Sequence, residues 1–580
     1  GFPEVKLGLM PGWGGTVLLP RLVGPGAAVE MIAAGESIDG PTAARLGLAD
    51  ACVPPQQAMA AARSLIDWLR ADNSHMARRR RLAGTVDIDP AERDFLAATS
   101  AAVIAGRTGG HYPAPPAVLD TIIAGLDLRA TAAAKLESKA FARLVTSPVA
   151  RNLVRVFRLG ERNRRDTGVA AGDAAGTVAT PTRPAVVGAG IMGAGIAAAH
   201  LRSGFAVSLI DIDRDALARA VPGILEEAAW DRATRRADPA RAGALAGQLR
   251  TATQTSLLSD ADLVIESAVE RSDVKLTLLR DIETVVGPTA VIATNTSTNP
   301  IARLARALRD PGRFCGLHFF NPVRRMTLVE VVRGPATTAA TVAVAVAHAK
   351  RLGKCPIVVQ DSPGFLVNRL LMPYLHESVE MLREGTPATR IDRVARRFGM
   401  PLGPLELYDL IGLDTAFYAG LVLADAYGDR IEASPVIPAL VRAGRLGRKS
   451  GGGFYDHSHD RAERPQADAS ATIAPLVAPY RLPERSTPDA SIADRLFLPV
   501  VLEATRVLEE GIVRDGNDVD LAMIHALGFP PFRGGLLAWA DALGAAEIVR
   551  RLEPLADLGP RMQPTPRLLA LAASGGRFTE

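Results

Sequence analysis

The sequence predicts an α/β chain organised around a doubly wound, mostly parallel sheet, and three observations lead there. Short apolar runs alternate with helical stretches, at Ala185 to Val187, Val207 to Ile210, Asp262 to Ile265, Ala290 to Thr294, Phe314 to Phe319, Leu328 to Val332 and Pro356 to Val359. Strands that alternate with helices in this way build parallel sheets through crossover connections. The first run is followed by Gly188, Gly190 and Gly193 at G-x-G-x-x-G spacing, and the second ends on an acid, Asp211.

Each part of that opening unit has a physical task. The first glycine makes a tight turn, the second lets backbone approach a pyrophosphate, and the third lets the helix pack closely on its strand. Ile191 to Ser203 is rich in helix formers until Gly204 stops it, and the free N–H groups at its start suit an anion. Asp211 stands where an acid accepts hydrogen bonds from an adenosine ribose and repels a 2′-phosphate, so the expected cofactor is NAD. Gly188, Gly190, Ile191, Met192, Gly193 and Asp211 form the expected cradle of this Rossmann-type unit. Further along, a helical stretch is expected at Asp215 to Arg236.

Composition narrows the classes. At 580 residues the chain should hold roughly three or four domains. Its 48% hydrophobic and 22% charged residues are those of a globular protein, and a net charge of +5 gives no ground for a nucleic-acid partner. Arg78 to Arg81 and Arg162 to Arg165 read as solvated helix faces. Cys52, Cys315 and Cys355 make no C-x-x-C pair or disulfide framework, which fits a reducing compartment, and a cytoplasmic location is expected. His457 and His459 read as surface histidines, with no metal site expected, and no apolar run reaches the roughly eighteen residues of a membrane span.

Ligands of doubly wound sheets lie beyond the carboxyl ends of the strands. The polar residues that could carry chemistry fall there: Glu270 and Lys275, Asn295 and Ser297, and His318. Gly316-Leu-His-Phe-Phe-Asn-Pro322, followed by Leu328-Val-Glu-Val-Val332, resembles L-3-hydroxyacyl-CoA dehydrogenase, fused to a hydratase as in the α subunit of the bacterial fatty-acid oxidation complex. The resemblance covers essentially the whole chain. It implies that His318 is the catalytic base and Glu330 its partner. Ser297, Asn321 and Asn368, the last in Pro363-Gly-Phe-Leu-Val-Asn-Arg369, would contact substrate, with Glu270, Lys275 and Asn295 near the nicotinamide end of the cofactor. Without the resemblance, a histidine set between apolar residues would read as a core residue.

The opening stretch, from Pro3-Glu-Val-Lys-Leu-Gly8 onward, resembles the second half of a crotonase-type enoyl-CoA hydratase, and Glu4 matches one of that family's two catalytic glutamates. Two short helices, Gly26 to Ala34 and Pro41 to Leu46, and a strand at Ala49 to Val53 are expected there. Hydration needs a second carboxylate and an oxyanion hole. In the family these lie upstream of the matching stretch, so no hydratase activity is expected from the chain as given.

The expected organisation is a partial crotonase-like segment at 1–56, a helical linker region at 57–181, a NAD-binding domain at 182–362, a first helical dehydrogenase domain at 363–456, a linker at 457–490 and a second helical repeat at 491–580. Within the helical linker region, helices are expected at Met59 to Leu69, Ala117 to Gly125 and Ala133 to Leu144, with a Pro-rich break at Pro113 to Pro116 and a flexible boundary at Asp166 to Thr182. The repeat is visible as Asn368-Arg-Leu-Leu-Met-Pro373 and Asp494-Arg-Leu-Phe-Leu-Pro499, each leading to a glutamate, Glu377 or Glu503, and then to Gly385 or Gly511. Asp494 replaces the asparagine, so the second copy reads as structural. The resemblance implies NAD-dependent oxidation of (S)-3-hydroxyacyl-CoA in fatty-acid β-oxidation, with an acyl-CoA substrate and a thiolase β subunit as partner in a hetero-oligomer. Two other readings stay open: a dehydrogenase of another small hydroxy acid, and a non-catalytic scaffold that docks a thiolase.

Overall fold

The computed structural model describes the chain except for residues 72, 171–179, 232–233, 432, 458–469 and 580. It divides into two compact units, one of residues 1–158 with 531–534, the other of 159–530 with 535–580.

The first unit is helical among its described residues. A 3₁₀ turn at Pro3–Leu7 leads into helices at Gly15–Val23, Pro25–Ala34 and Gly40–Arg45, followed by Ala58–Ala71, Ser74–Ala83, Pro90–Thr108, Ala114–Leu126 and Ala130–Val145. Its core joins Val5, Met10, Leu19, Ile32, Val118 and Ile122. The strand expected at Ala49 to Val53 does not form. That stretch is irregular and mostly exposed, and with no neighbouring edge to pair with, an apolar run gains nothing from extension. Pro115 and Pro116 do not break the chain but open the helix Ala114–Leu126, where a missing N–H costs nothing.

The second unit holds the sheet. Its strands are β1 (Pro184–Val187), β2 (Val207–Ile210), β3 (Trp230–Asp231), β4 (Arg236–Ala237), β5 (Leu249–Ala252), β6 (Leu263–Glu266), β7 (Val291–Thr294), β8 (Phe314–Phe319), β9 (Leu328–Arg333) and β10 (Cys355–Gln360). Eight of them form one sheet in the order β10-β9-β8-β7-β6-β1-β2-β5, while β3 and β4 make a separate two-stranded ribbon. All neighbours in the large sheet run parallel except β8 and β9. From β1 the chain moves outward through β2 to β5, then returns to β6 on the other side of β1. This reversal makes the crevice between β1 and β6 the topological switch point.

The helix expected at Asp215 to Arg236 is shorter than its pattern suggested. It spans Arg214–Ala228, and the chain then forms the β3–β4 ribbon. Strand β5 has no sequence signal, because it is a polar edge strand with Arg250 and Thr251 exposed. One face of the sheet packs its own helices through Val186, Ile196, Leu209, Ile265 and Val331. The opposite face shares a core with the helical repeats, in which Val187, Ile292 and Val332 join Leu370, Leu375, Leu496 and Val501.

The two repeat motifs lie on the long helices Val367–Arg383 and Asp489–Glu509. Each helix carries a fully buried arginine that reaches the glutamates of the other. Arg369 donates to Glu503 at 2.5 Å and forks onto Glu510 at 2.5 and 2.6 Å. Arg495 donates to Glu377 at 2.9 Å and to Glu384 at 3.1 Å. Planar guanidinium forks match carboxylates in this paired geometry, and burial of the arginines with Glu503, Glu377 and Glu384 makes the match obligatory, Glu510 alone being open to solvent. The segment expected to be a plain linker at 457–490 contains a helix, Ser470–Val477, whose Ile473 and Val477 are buried in the same core. Most of the expected flexible boundary at Asp166 to Thr182 lies outside the described residues, as does His459.

Candidate active site

At the switch point the turns after β1 and β6 come together. Gly188 has φ of 110°, and a Cβ there would lie 2.5 Å from the carbonyl oxygen of Ser267. A Cβ on Gly193 would meet the Gly188 carbonyl at 1.8 Å, so any side chain would drive the helix Ile191–Arg202 off the turn. At Gly190 a Cβ would meet nothing within 4 Å, which leaves that peptide bare toward solvent. Asp211 accepts hydrogen bonds from the N–H of Ala189 at 2.7 Å and of Asp213 at 2.9 Å, tying the end of β2 to the glycine turn. Three apolar side chains stand open beside these strand ends: Ile191 at 80%, Ile212 at 93% and Val269 at 61% exposure. Bare peptide for phosphate, an acid for ribose and apolar surface for a flat ring together fit a dinucleotide. Met192 packs partly against the sheet-side core.

A second group gathers beyond β6 and β7. Glu266, the last residue of β6, is fully buried and receives Lys275 Nζ at 2.9 Å on both oxygens, the Thr294 hydroxyl at 2.5 Å and the Ala268 N–H at 2.7 Å. Lys275 also lies 3.3 Å from Glu270. The Lys275 side chain is fully buried between these two carboxylates, and its first contacts are with them. Glu270 accepts from the Thr296 hydroxyl at 2.5 Å and from the N–H of Ser297 at 2.9 Å, so it shapes the loop that bears Ser297. Burial opposes its ionisation, but the Lys275 ammonium and these donors outweigh that and hold its carboxyl below the usual range.

The third group is built on the antiparallel pair. His318 and Glu330 are cross-strand partners of β8 and β9, and His318 Nδ1 lies 2.6 Å from Glu330 Oε2. The other oxygen of Glu330 accepts from the N–H of Leu366 at 3.0 Å and of Val367 at 2.9 Å, at the start of the long helix. His318 Nε2 has no protein partner among the described residues. The rings of Phe320 and Phe365 flank it, with centroids at 4.4 and 5.9 Å. Asn368 Nδ2 donates to the Ser297 carbonyl at 3.2 Å, and Asn295 Oδ1 accepts from the N–H of Phe319 at 2.8 Å. These bonds join Glu270, Ser297, Asn368, Glu330, His318 and Asn295 in one constellation. Asn321 follows on the exposed turn after β8.

Glu266 was not legible as a site residue; an acid closing an otherwise apolar strand is its only signal. Asp361 was missed too. It accepts from the N–H of Ile301 at 2.9 Å and of Ala302 at 2.7 Å and so fixes the far end of the Ser297 loop. Glu4 lies in the other unit, with one carboxylate oxygen buried and without a hydrogen-bond partner. His457 is not a surface histidine. It is buried, and its Nε2 lies 2.9 Å from Asp409, whose carboxylate also accepts from the N–H groups of Phe454 and Tyr455. A buried acid with spare acceptors draws in a polar ring from the loop beside it.

Comparison with known proteins agrees with this geometry. Residues 184–362 match the NAD-binding domain of 3-hydroxyacyl-CoA dehydrogenase, 364–457 its C-terminal domain, and 1–89 the enoyl-CoA hydratase/isomerase family. The chain is 37% identical to the fatty acid oxidation complex subunit alpha of Ectopseudomonas oleovorans over 586 residues, covering 100% of this chain and 81% of that protein. It belongs to the fatty acid oxidation complex α-subunit family. It joins hydratase-type and dehydrogenase sequence in one chain. The crystal structure of 3-hydroxybutyryl-CoA dehydrogenase from Escherichia coli K12 superposes with a TM-score of 0.59 at 30% identity, covering 68% of this chain and all of that one. The dehydrogenase part of multifunctional enzyme 1 from C. elegans, at 24% identity and a TM-score of 0.52 over 72% of this chain and 96% of that one, shares the fold. Among the described residues no single helix is long and apolar enough to cross a membrane.

Proposed function

We propose that this α-subunit family chain oxidises (S)-3-hydroxyacyl-CoA to 3-oxoacyl-CoA with NAD, and that His318 is the base. The observation that carries the reading is the His318–Glu330 pair at 2.6 Å with Nε2 left for a substrate. NAD bound on the Gly188 to Gly193 cradle supplies a hydride acceptor for C3 of the substrate. His318 Nε2 takes the hydroxyl proton, and Glu330 holds the other ring nitrogen protonated and stabilises the imidazolium that forms. Ser297 and Asn368 hold the substrate oxygens, and Asn321 belongs to the same polar wall. Positioning of this kind can amount to several kcal/mol. Glu266, Lys275 and Glu270 hold the Ser297 loop in place.

Subunit alpha of such a complex implies a second subunit, and a thiolase β subunit that consumes the 3-oxoacyl-CoA is our proposal for it. Glu4 is, on the same reading, one carboxylate of a hydratase pair, and its unpartnered buried oxygen suits a ligand-facing role. For this polypeptide we propose dehydrogenase turnover. NADH formation from NAD and a medium-chain (S)-3-hydroxyacyl-CoA, with the matching enoyl-CoA and a free 3-hydroxy acid in parallel, tests this. Turnover of the hydroxyacyl thioester is expected; turnover of the free acid alone would place the chain among other hydroxy-acid dehydrogenases.

A further inference from the structure

The turn after His318 is held by a lysine that no part of the mechanism above uses. Lys354 precedes β10, is 9% exposed, and donates from its Nζ to the carbonyls of Val323 and, at 2.7 Å, Met326. The turn closes on itself as well, since the N–H groups of Arg325 and Met326 both reach the Pro322 carbonyl at 3.0 Å. Val323 is buried, and its side chain lies against Gly195 so closely that a Cβ on that glycine would come within 2.9 Å of it. Gly195 is on the helix Ile191–Arg202, which starts in the dinucleotide cradle. The Arg324 guanidinium stacks over the Trp230 ring at 4.5 Å.

We propose that Lys354 is a positioning residue of the dehydrogenase site: its ammonium fixes the turn of residues 321–326, which bears Asn321 and, through Val323, packs against the helix that bears the cofactor glycines. The proposal rests on the dehydrogenase reading and deepens it. Two carbonyl oxygens aimed at one buried ammonium make charge-assisted bonds, and a buried cation so placed costs little only while both are in place. An amine at the same position keeps N–H donors but adds a lone pair that nothing in the turn can satisfy.

The surroundings make this contact sensitive to alkali. Burial and the nearby Arg202 push the Lys354 ammonium down to about 8, with Glu227 on the helix Arg214–Ala228 opposing them. Arg324 adds positive charge on the turn itself. Burial pushes His525, whose Nδ1 lies 2.9 Å from the Thr327 hydroxyl, below the usual imidazole range, and the Cys355 thiol is pushed up to about 12. Lys354 is therefore the group of this cluster that changes charge between pH 7 and 9.5.

Lys354→Met and Lys354→Arg, compared with wild type in steady-state kinetics from pH 6.5 to 9.5, test the proposal. At pH 7 Lys354→Met is expected to lower kcat/KM for the hydroxyacyl thioester at least tenfold. Wild type is expected to lose activity through an alkaline limb near pH 8 that both variants lack, with Lys354→Arg overtaking wild type at pH 9.5. A Lys354→Met enzyme within twofold of wild type, or one with the same alkaline limb, overturns the assignment. If Lys354→Met does not fold, Trp230 emission in the wild-type chain, taken as its difference from Trp230→Phe, reports on the stacked turn. A transition near pH 8 supports the proposal and a flat titration refutes it. Wild type inactive toward the thioester would count against the dehydrogenase reading, while the Trp230 titration still tests Lys354.

Discussion

His318 and Glu330 face each other across the one antiparallel pair of an otherwise parallel eight-stranded sheet. A parallel neighbour would have put their side chains at the mercy of a long crossover; the short turn between β8 and β9 fixes them in register. Glu330 is also the acceptor for the first N–H groups of the long helix, so one buried carboxylate orients the base and seats the helix that presents Asn368.

Glu330→Gln is expected to keep the strand pairing while removing the charge that stabilises the imidazolium. Turnover should fall by roughly 10²- to 10⁴-fold, and the acid limb of the pH–rate profile should move. Unchanged kcat with an unchanged profile would break the partnership.

The Glu266–Lys275 pair is fully buried, and breaking such a pair from one side leaves an uncompensated charge. Lys275→Met should cost about 3–5 kcal/mol in urea denaturation. Combined with Glu266→Gln the cost should be well below the sum of the single variants, because the pair is one unit. Simple additivity would show that the two residues act separately.

How much of this was legible in the sequence depends on how local the signal is. The glycine turn, the acid at Asp211 and seven of the eight strands of the large sheet announce themselves through spacing and apolar runs, because turn geometry and burial act over a few residues. Strand β5 is polar and lies at an edge, so it carries no such pattern. His318 lies at a strand end where ligands bind, but it stands between apolar residues, and only the resemblance turns it from a core histidine into the expected base; its pairing with Glu330 is a matter of register, which no composition encodes. Asp361 accepts from backbone N–H groups of the distant residues Ile301 and Ala302, Glu266 gathers Lys275 from the following helix and Thr294 from the next strand, and the loop residue His457 meets an acid, Asp409, on the helix Pro404–Ile411. Such partners are set by tertiary packing alone.

The repeated arginines give a second stability test, remote from the chemistry. Arg495→Met leaves Glu384 and Glu377 buried beside the partner helix, and a loss of about 3–5 kcal/mol is expected. The folded fraction should retain its dehydrogenase turnover. A stability unchanged within 0.5 kcal/mol, roughly the scatter of surface substitutions, would show that the crossed pairs are dispensable.

His200 and His348 meet behind the cofactor helix with Nε2 to Nε2 at 2.9 Å, and both are fully buried. His200 donates from Nδ1 to the Ile196 carbonyl at 2.7 Å, so its Nε2 accepts and His348 donates. Burial lowers His200 to about 4 and His348 to about 2. The unfolded chain therefore binds more protons below pH 6.5, and stability is kept above that value and lost as pH falls toward 4. From pH 7 to 5 the loss from His200 alone should be on the order of 2 kcal/mol. A His200→Phe/His348→Leu double variant should show a shallower acid slope in denaturant titrations; an identical slope would assign acid sensitivity elsewhere.

The most direct test of the central claim is single-turnover NADH formation by wild type and His318→Ala with saturating NAD and (S)-3-hydroxyacyl-CoA, alongside NAD binding by calorimetry. The account predicts rapid NADH formation in wild type, a fall of at least 10²-fold in the variant and the same NAD affinity in both. Equal rates in the two proteins would contradict it.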